Sequence, residues 1–343
     1  MRGTVLVTGG AGYVGAHACK ALRREGYTPI AFDNLSTGHK SFVRWGPLVE
    51  GDIRDTDALL AAIGFHNTEA VLHFAASAYV GESVTNPQKY YENNVSGSLA
   101  VLRAMLQAGC RKLVFSSSCA IFGEPDELPI RETAPHNPVN PYGTSKAMVE
   151  RMLVDYAHAY GLESMSLRYF NASGADPDGE LGELRDPETH LIPRAMMAIQ
   201  GYISDFAVFG SDYDTPDGTP IRDYIHVSDL ADAHVAALRR LLAGSSGSAA
   251  FNLGTGQGYS VKQVLDAIAA ETGETLEILP GPRREGDPPE LIAEASLSRS
   301  ELGISPRYSD LPTIIRTAWN WHRRAHPKMA RPIDFPTVAK RQA

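Results

Sequence analysis

The chain has 343 residues, 43% of them hydrophobic, enough for a large core in one extended α/β unit or two intimate domains. A formal net charge of −8, with both signs interspersed and no basic run, leaves no electrostatic footprint for a nucleic-acid partner. No apolar stretch reaches the roughly 20 residues of a membrane span, and "MRGTVLVTGG" lacks a signal-peptide pattern, so a cytoplasmic protein without membrane contact is expected. Cys19, Cys110 and Cys119 are odd in number and lack metal-ligand spacing, so reduced, buried thiols are expected, with no disulfide framework and no metal site.

In chain order, "TVLVTG", "TPIAFD", "LVEGDI", "AVLHFAA", "KLVFSSS" and "SMSLRYFN" read as strands separated by helix-length segments. That rhythm predicts βαβ units and an α/β, doubly wound parallel sheet up to about residue 171. Beyond Asn171, "NASGADPDGELGELRDPETH" and "GSDYDTPDGTPIRD" are rich in Gly, Pro and Asp and read as long loops. "VSDLADAHVAALRRLL" then reads as a helix and "AAFNLGTG" as a strand returning to the sheet. "SVKQVLDAIAAETG" and the segment from Leu311 to about His322 are further helices; this second region is expected to pack as a lid over the first. The last twenty or so residues read as a weakly ordered tail.

Directly after the first strand, "TGGAGYVG" spaces Gly9, Gly12 and Gly15 by three ahead of a helix expected to begin near Gly15. Glycines there let the chain turn sharply and let backbone N–H groups approach a pyrophosphate, which the helix N-terminus then faces. Asp33 ends the second strand about 20 residues on, where a carboxylate accepts hydrogen bonds from an adenosine ribose and repels a 2′-phosphate; NAD is expected over NADP. "GDIRD" places Asp52 and Ile53 at the end of the third strand, beside an adenine.

"NPYGTSK" supplies an N-cap (Asn140), a first helical proline (Pro141), and Tyr142 and Lys146 four residues apart on one face of a helix running to about Tyr160. A phenol with an ordinary pKa near 10 needs nearby positive charge to act as a base, and Lys146 with an oxidised nicotinamide would supply it. Ser118 ends the fifth strand at its carboxyl end, placed to hold a substrate hydroxyl and relay its proton to Tyr142. Such a set removes a proton from an alcohol whose carbon gives hydride to NAD.

The chain resembles the UDP-sugar 4-epimerases of the extended short-chain dehydrogenase/reductase family. The resemblance rests on "TGGAGYVG", "DNLSTGH", "GESVTNPQKYYENNVSG", "NPYGTSK", "LRYFNASGA", "DGTPIRDYIHVSDLADAH", "FNLGTG" and "RREGD", and spans roughly residues 3 to 322. It implies reversible C4 epimerisation of UDP-glucose and UDP-galactose through a 4-keto sugar, with tightly bound NAD, in the manner of bacterial enzymes serving exopolysaccharide. It implies a Rossmann NAD-binding domain over 1–171 with a return segment at about 224–256. A smaller α/β substrate-binding domain would cover 172–223 and 257–325, and a tail 326–343.

Carried over by position, the NAD set is Gly9, Gly12, Tyr13, Val14, Gly15, Asp33, Asn34, Asp52, Ile53, Phe74, Ala75, Ala76, Asn93, Ser116, Lys146 and Tyr169. The UDP-sugar set is Ser118, Tyr142, Asn171, Leu191, Ala207, Phe209, Arg222, Arg284 and Asp287, with Phe209 on the uracil and the arginines suited to the pyrophosphate. Four positions depart from the family: Ala120 where threonine is frequent, His190 for asparagine, Ala78 for a NAD-contacting lysine, and Leu291, whose bulk leans against N-acetyl sugars.

Related dehydratases and decarboxylases use an acid after the active-site hydroxyl; here Cys119 and Ala120 follow Ser118. A UDP-xylose/UDP-arabinose or UDP-N-acetylhexosamine epimerase remains open, as does a non-catalytic NAD-binding regulator, though such a regulator would be expected to lack Tyr142 or Lys146. A homodimer is expected from "PQKYYENNVSGSLAVLRAMLQAG" and "SKAMVERMLVDYAHAYG", which are helical and apolar on more than one side.

Overall fold

The first strand, β1 (Thr4–Thr8), is buried at Val5, Leu6, Val7 and Thr8, as a central parallel strand covered on both faces must be. The structure is a computed structural model and describes residues 2–244, 247–284 and 287–325. The elements continue with α1 (Tyr13–Arg24), β2 (Thr28–Asp33), β3 (Leu48–Glu50), α2 (Thr56–Phe65) and β4 (Thr68–His73). Three helices follow, α3 (Val80–Thr85), α4 (Pro87–Tyr90) and α5 (Gly97–Gln107), the last two joined by a widened π-turn over Tyr91–Ser96. Next come β5 (Lys112–Ser118), α6 (Pro141–Tyr160) and β6 (Glu163–Tyr169). The chain then makes β7 (Asn171–Ser173), α7 (Leu191–Ile199), β8 (Ala207–Phe209), β9 (Ile221–His226), α8 (Val227–Leu242) and β10 (Ser248–Leu253). It closes with β11 (Gly258–Ser260), α9 (Val261–Thr272), β12 (Leu279–Gly281), β13 (Glu290–Leu291), α10 (Ser296–Leu302) and α11 (Leu311–Ala325).

Seven strands form one sheet in the order β10-β6-β5-β4-β1-β2-β3, every neighbour parallel. The winding reverses between β1 and β4, which opens a crevice at the carboxyl ends of those strands. One face of the sheet is covered by α1 and α8 through Ala18, Leu22, Leu230 and Leu238, the other by α2, α5 and α6 through Leu59, Ile63, Met105 and Leu153. Local signals set the helix ends: Asp55 accepts from the Asp57 and Ala58 amides at the start of α2, and Ser260 with Gln263 makes a reciprocal capping box on α9.

A smaller sheet is built on β9, which pairs with β7 and β13 in parallel and with β11 antiparallel, while β8 and β12 pair with each other. Helices α7, α9 and α11 close a separate core around Met196, Phe206, Tyr224, Val264 and Ile314. The return of 248–253 to the large sheet is as expected, since β10 pairs with β6 along its full length. The expected tail, 326–343, lies outside the described residues.

Several expected boundaries move. The first helix begins at Tyr13 rather than near Gly15, because Gly12 already takes the extended capping conformation. The third strand ends at Glu50, so Asp52 and Ile53 stand in the following turn, closed by the Asp55 amide on the Asp52 carbonyl at 3.0 Å. The fourth ends at His73, where the Phe74 and Ala75 amides converge on the one Thr8 carbonyl. The sixth ends at Tyr169, and Asn171 belongs instead to β7, paired with Tyr224 in the smaller sheet. Strand β9 begins within a stretch read as loop, at Ile221; its Arg222 and Asp223 are buried, and Asp223 is satisfied by the Thr255, Gly256 and Ala293 amides.

Candidate active site

The crevice between β1 and β4 is lined first by backbone. Gly9 has φ +73°, and a Cβ there would stand 2.7 Å from the Ala75 amide nitrogen. A Cβ on Gly15 would meet the Gly9 carbonyl oxygen at 2.1 Å, so the turn and the first turn of α1 are in direct backbone contact. Gly12 is freer, with 3.3 Å to the same oxygen. Gly10, which the sequence reading passed over, is as tight as its neighbours: its Cβ would lie 2.8 Å from the Val7 carbonyl and from the Ala31 methyl. The first amides of α1, on Tyr13, Val14 and Gly15, have no intrahelical acceptor and point out of the helix end, a ready anion site. Tyr13's own side chain is buried, its hydroxyl donating to the Gly174 carbonyl at 2.6 Å, so only its backbone is placed for a ligand.

Asp33 is buried at the end of β2 and accepts from the Ala11 amide at 3.0 Å and the Leu35 amide at 2.8 Å. Burial raises its pKa and those two N–H bonds oppose the rise. Asn34 donates to Asp52 at 3.2 Å, and Arg54 grips both Asp52 oxygens, holding that carboxyl well below the usual range. Ile53 is buried against Gly97, where a Cβ would come within 2.6 Å of it. Phe74, Ala75 and Ala76 follow β4 into the same crevice, the Phe74 ring 4.5 Å from that of His234. Asn93 reaches Ser77 at 3.4 Å; its neighbour Asn94, which the sequence reading did not single out, is buried and bonds Ser77 twice and Ser145 at 3.0 Å, tying the crevice loop to α6.

These residues fit a dinucleotide: three close backbone approaches that any side chain would block, a helix end with free amides, and a carboxylate at the tip of the next strand.

At the next strand end, Asn140 caps α6 by accepting from the Gly143 amide at 2.9 Å, and Pro141 takes the first helical position. Gly143 lets the helix end press on the loop after β5, since a Cβ would lie 2.3 Å from the Ala120 carbonyl. Tyr142 and Lys146 therefore face the end of β5. Ser118 is hydrogen-bonded to the Tyr142 phenol, which lowers its pKa, but desolvation dominates and pushes it up to about 12. Lys146 is 3% exposed, donates to the Ser116 carbonyl at 2.7 Å, and lies 4.8 Å over the Phe115 ring and 5.9 Å over the Tyr142 ring. Burial drives its ammonium down to about 7. The Ser116 hydroxyl meets the Tyr169 hydroxyl, linking the ends of β5 and β6. A phenol set this high becomes a base at neutral pH only under additional positive charge.

The residues expected on the substrate side divide into two groups. Asn171 and Leu191 line one recess with Glu183, His190, Tyr224 and Trp321. Arg284 and Asp287 line another with Tyr213 and Arg283, and Phe209 on β8 lies under the Arg284 guanidinium at 4.3 Å. Ala207 begins the same strand two residues earlier. Arg222 sits between them on β9, but its guanidinium is engaged: it donates to the Ile221 and Pro288 carbonyls at 2.7 Å each and pairs with Asp287. Residues 285 and 286 of "RREGD" lie outside the described residues.

Among the departures, His190 is the most consequential. Glu183 at 3.0 Å and Glu188 at 3.2 Å flank its Nδ1, and it is raised to about 9, against the pull of desolvation and of Arg185. A cation is thus built where the family often has a neutral amide. Ala120 lies in the short turn after β5, and Ala78 is half-buried in the crevice loop. Leu291 pairs with Arg222 and packs on the apolar cluster of Cys119, Ile121, Ile130 and Phe170, which Ala147 of α6 also touches. The three cysteines are free and buried. Among the described residues, no helix is long and apolar enough to cross a membrane.

Residues 5–254 match the model of the NAD dependent epimerase/dehydratase family. The chain belongs to that family. It is 51% identical over 323 residues to UDP-glucose 4-epimerase of Rhizobium leguminosarum bv. trifolii, covering 94% of this chain and 98% of the relative. Among solved structures it is similar to UDP-glucose 4-epimerase from Brucella ovis in complex with NAD: 55% identity, TM-score 0.90, 92% of this chain and 97% of that one. The enzyme from Bifidobacterium longum, in complex with NAD+ and UDP, matches at 37% identity and TM-score 0.90 over 95% and 99% of the two chains. The sheet order and flanking helices are accordingly those of a Rossmann-type NAD-binding fold.

Proposed function

We propose that the protein is a UDP-glucose 4-epimerase that interconverts UDP-glucose and UDP-galactose with tightly bound NAD. The observation that carries this reading is the convergence of Tyr142, Ser118 and Lys146 on one strand end beside the glycine turn, in a chain 51% identical to a UDP-glucose 4-epimerase. NAD would be held by the Gly9–Gly15 turn and the α1 amides, Asp33 and Asn34 with Asp52 and Ile53 near its adenosine, and Phe74, Ala75, Ala76, Asn93, Ser116 and Tyr169 along the crevice. When bound it accepts a hydride from the sugar C4 and returns it.

Tyr142 takes the proton of the sugar 4-hydroxyl, and Ser118 holds that oxygen and relays the proton. Lys146, charged, stabilises the phenolate. The resulting 4-keto sugar turns about its bond to the diphosphate and presents its other face, so the site must grip the nucleotide and hold the sugar loosely. Asn171, Leu191, Ala207, Phe209, Arg222, Arg284 and Asp287 are the nucleotide grip; the Arg222–Asp287 pair would serve as its brace, and the Phe209–Arg284 stack offers a face to a base. Cys119 and Ala120 provide no acid for elimination, which favours epimerisation over dehydration.

The same reading divides the chain into a NAD-binding unit, 1–171 with 224–256, and a substrate unit, 172–223 with 257–325. It also makes the protein a cytoplasmic homodimer. Exposed Val84, Leu99, Met148 and Val154 on α3, α5 and α6 support the dimer, since such side chains gain by pairing across a two-fold axis. Sedimentation at micromolar concentration checks it, a pure monomer counting against it.

The test of function is proton NMR of the purified protein with UDP-galactose and no added cofactor, repeated with UDP-xylose and UDP-N-acetylgalactosamine. UDP-glucose is the expected product, with UDP-N-acetylgalactosamine slower because the bulk of Leu291 leans against N-acetyl sugars, and with UDP-xylose ranked by its own rate. Spectra that stay unchanged after NAD is supplied overturn the reading.

A further inference from the structure

Tyr142, Lys146 and Glu150 lie at successive i, i+4 positions, one stripe along α6. Glu150 does not reach the site. It is 6% exposed and held from three sides: Ser117 donates to its Oε1 at 2.5 Å, Arg168 Nε donates to Oε1 at 3.0 Å, and Arg168 Nη2 donates to Oε2 at 2.6 Å. Arg168 is fixed in turn by the Glu132 carbonyl at 2.8 Å, His136 at 3.0 Å and the Phe122 ring at 5.3 Å. Ser117 stands between Ser116 and Ser118 and across from Arg168 on β6, so the strand that ends in the active site carries this network on its other side.

Lys146 has little else to keep it charged. Its hydrogen bond goes to a neutral carbonyl, Phe115 covers it from β5, and Tyr142 and Glu150 flank it on α6. His73 on β4 is buried and neutral, held well below its ordinary range by burial and by Lys146, and Arg168 on β6 is a cation. We propose that Glu150, locked by Ser117 and Arg168, is a positioning residue that holds Lys146 in its charged form and so lets Tyr142 ionise. This rests on the epimerase reading above. Burial lowers the Lys146 ammonium, and Glu150 is the group that opposes it. A neutral lysine would leave the phenol at its desolvated value, unable to accept a proton at neutral pH.

The test uses the NAD-loaded enzyme and Glu150→Gln, which keeps the side chain's shape and removes its charge. The ultraviolet phenolate band of Tyr142, read as the difference from the matching Tyr142→Phe protein, gives its ionisation without turnover. The midpoint should rise by about one pH unit, kcat at about pH 8 should fall about tenfold, and KM should stay within about twofold. Glu150→Asp, which keeps the charge, should return the midpoint toward wild type. A second variant, Glu150→Leu with Arg168→Leu, removes both charges without leaving one unpaired, and should show a rise of the same sign but smaller, because the Arg168 cation goes with Glu150. A midpoint unmoved in either charge-free variant, or shifted equally in Glu150→Asp, makes Glu150 a structural pair and overturns the proposal. A wild-type protein that leaves UDP-galactose unchanged overturns the epimerase reading instead, and the phenolate titration still decides the role of Glu150.

Discussion

The two sides of the crevice are built from different materials. The side proposed for the dinucleotide is mostly backbone: Gly9, Gly10 and Gly15 within one turn, the amides opening α1, and one buried carboxylate, Asp33, all supplied by the first βαβ unit. The side proposed for the sugar nucleotide is made of side chains from segments far apart in the chain: Asn171 and Leu191 in one recess, Arg284 in another with Phe209 under it, and Arg222 on β9 paired with Asp287. Backbone sites cannot adjust, so they suit a ligand that stays. Side chains on short strands and loops can yield, which suits a substrate that must enter, turn and leave. The proposed catalytic residues, Tyr142, Lys146 and Ser118, sit at the seam, on α6 and β5, and belong to the rigid side.

That contrast is broken most decisively at the seam. Tyr142→Phe should lower kcat by about 10²–10⁴-fold, the usual worth of a positioned acid–base group, with thermal melting and NAD content unchanged. A variant that epimerises at the wild-type rate moves the proton transfer to another residue.

A smaller effect is expected on the backbone side. Gly15→Ala places a methyl 2.1 Å from the Gly9 carbonyl oxygen, and the turn has to open. Overpacking of this kind costs about 1–3 kcal/mol, and the loss should appear as a lower melting temperature together with weaker NAD binding in calorimetry. Unaltered affinity would mean that the turn is not where the cofactor rests.

On the side-chain face the effect should be milder and of another kind. Phe209→Ala removes the ring under Arg284, an exposed contact worth about 0.5–1 kcal/mol. KM for the UDP-sugar should rise a few fold with kcat unchanged, the signature of lost uniform binding. A fall in kcat with KM constant would put Phe209 in the chemical step and erase the division between the two sides.

The same division governs what could be read from the sequence. Strand, glycine turn, helix and the acid about 20 residues on are local and regular, so the cradle was legible, apart from Gly10, whose tightness depends on Ala31 across the sheet. Tyr142, Lys146 and Ser118 were legible because helix spacing and a strand end fix where they face. The smaller sheet was not: its strands are two to six residues long, and β9 hides Arg222 and Asp223 inside, where an alternating pattern would place apolar residues. Asn94 was hidden in the π-turn between α4 and α5, whose widened register defeats 3.6-residue counting. The network of Glu183, Glu188 and His190 lies in a loop between β7 and α7, where no periodicity says which side chains meet.

That network gives the smallest and most specific prediction. His190 titrates at about 9 in the folded protein, above its ordinary 6.5, because Glu183 and Glu188 favour the charged ring over the desolvation that opposes it. The unfolded chain therefore loses this proton first as pH rises. The stabilisation is fully present below about 6.5 and is lost as pH climbs through about 9. His190→Asn removes the titration, leaving Glu183 paired with Arg185 alone. Melting temperatures should show wild type above the variant at pH 6, with the gap closing toward pH 10. Other groups titrate over the same range, but they are common to both proteins and drop out of the difference. A gap that stays constant would make His190 a neutral spacer, and would return the recess beside Asn171 and Leu191 to the uncharged amide chemistry frequent at that position.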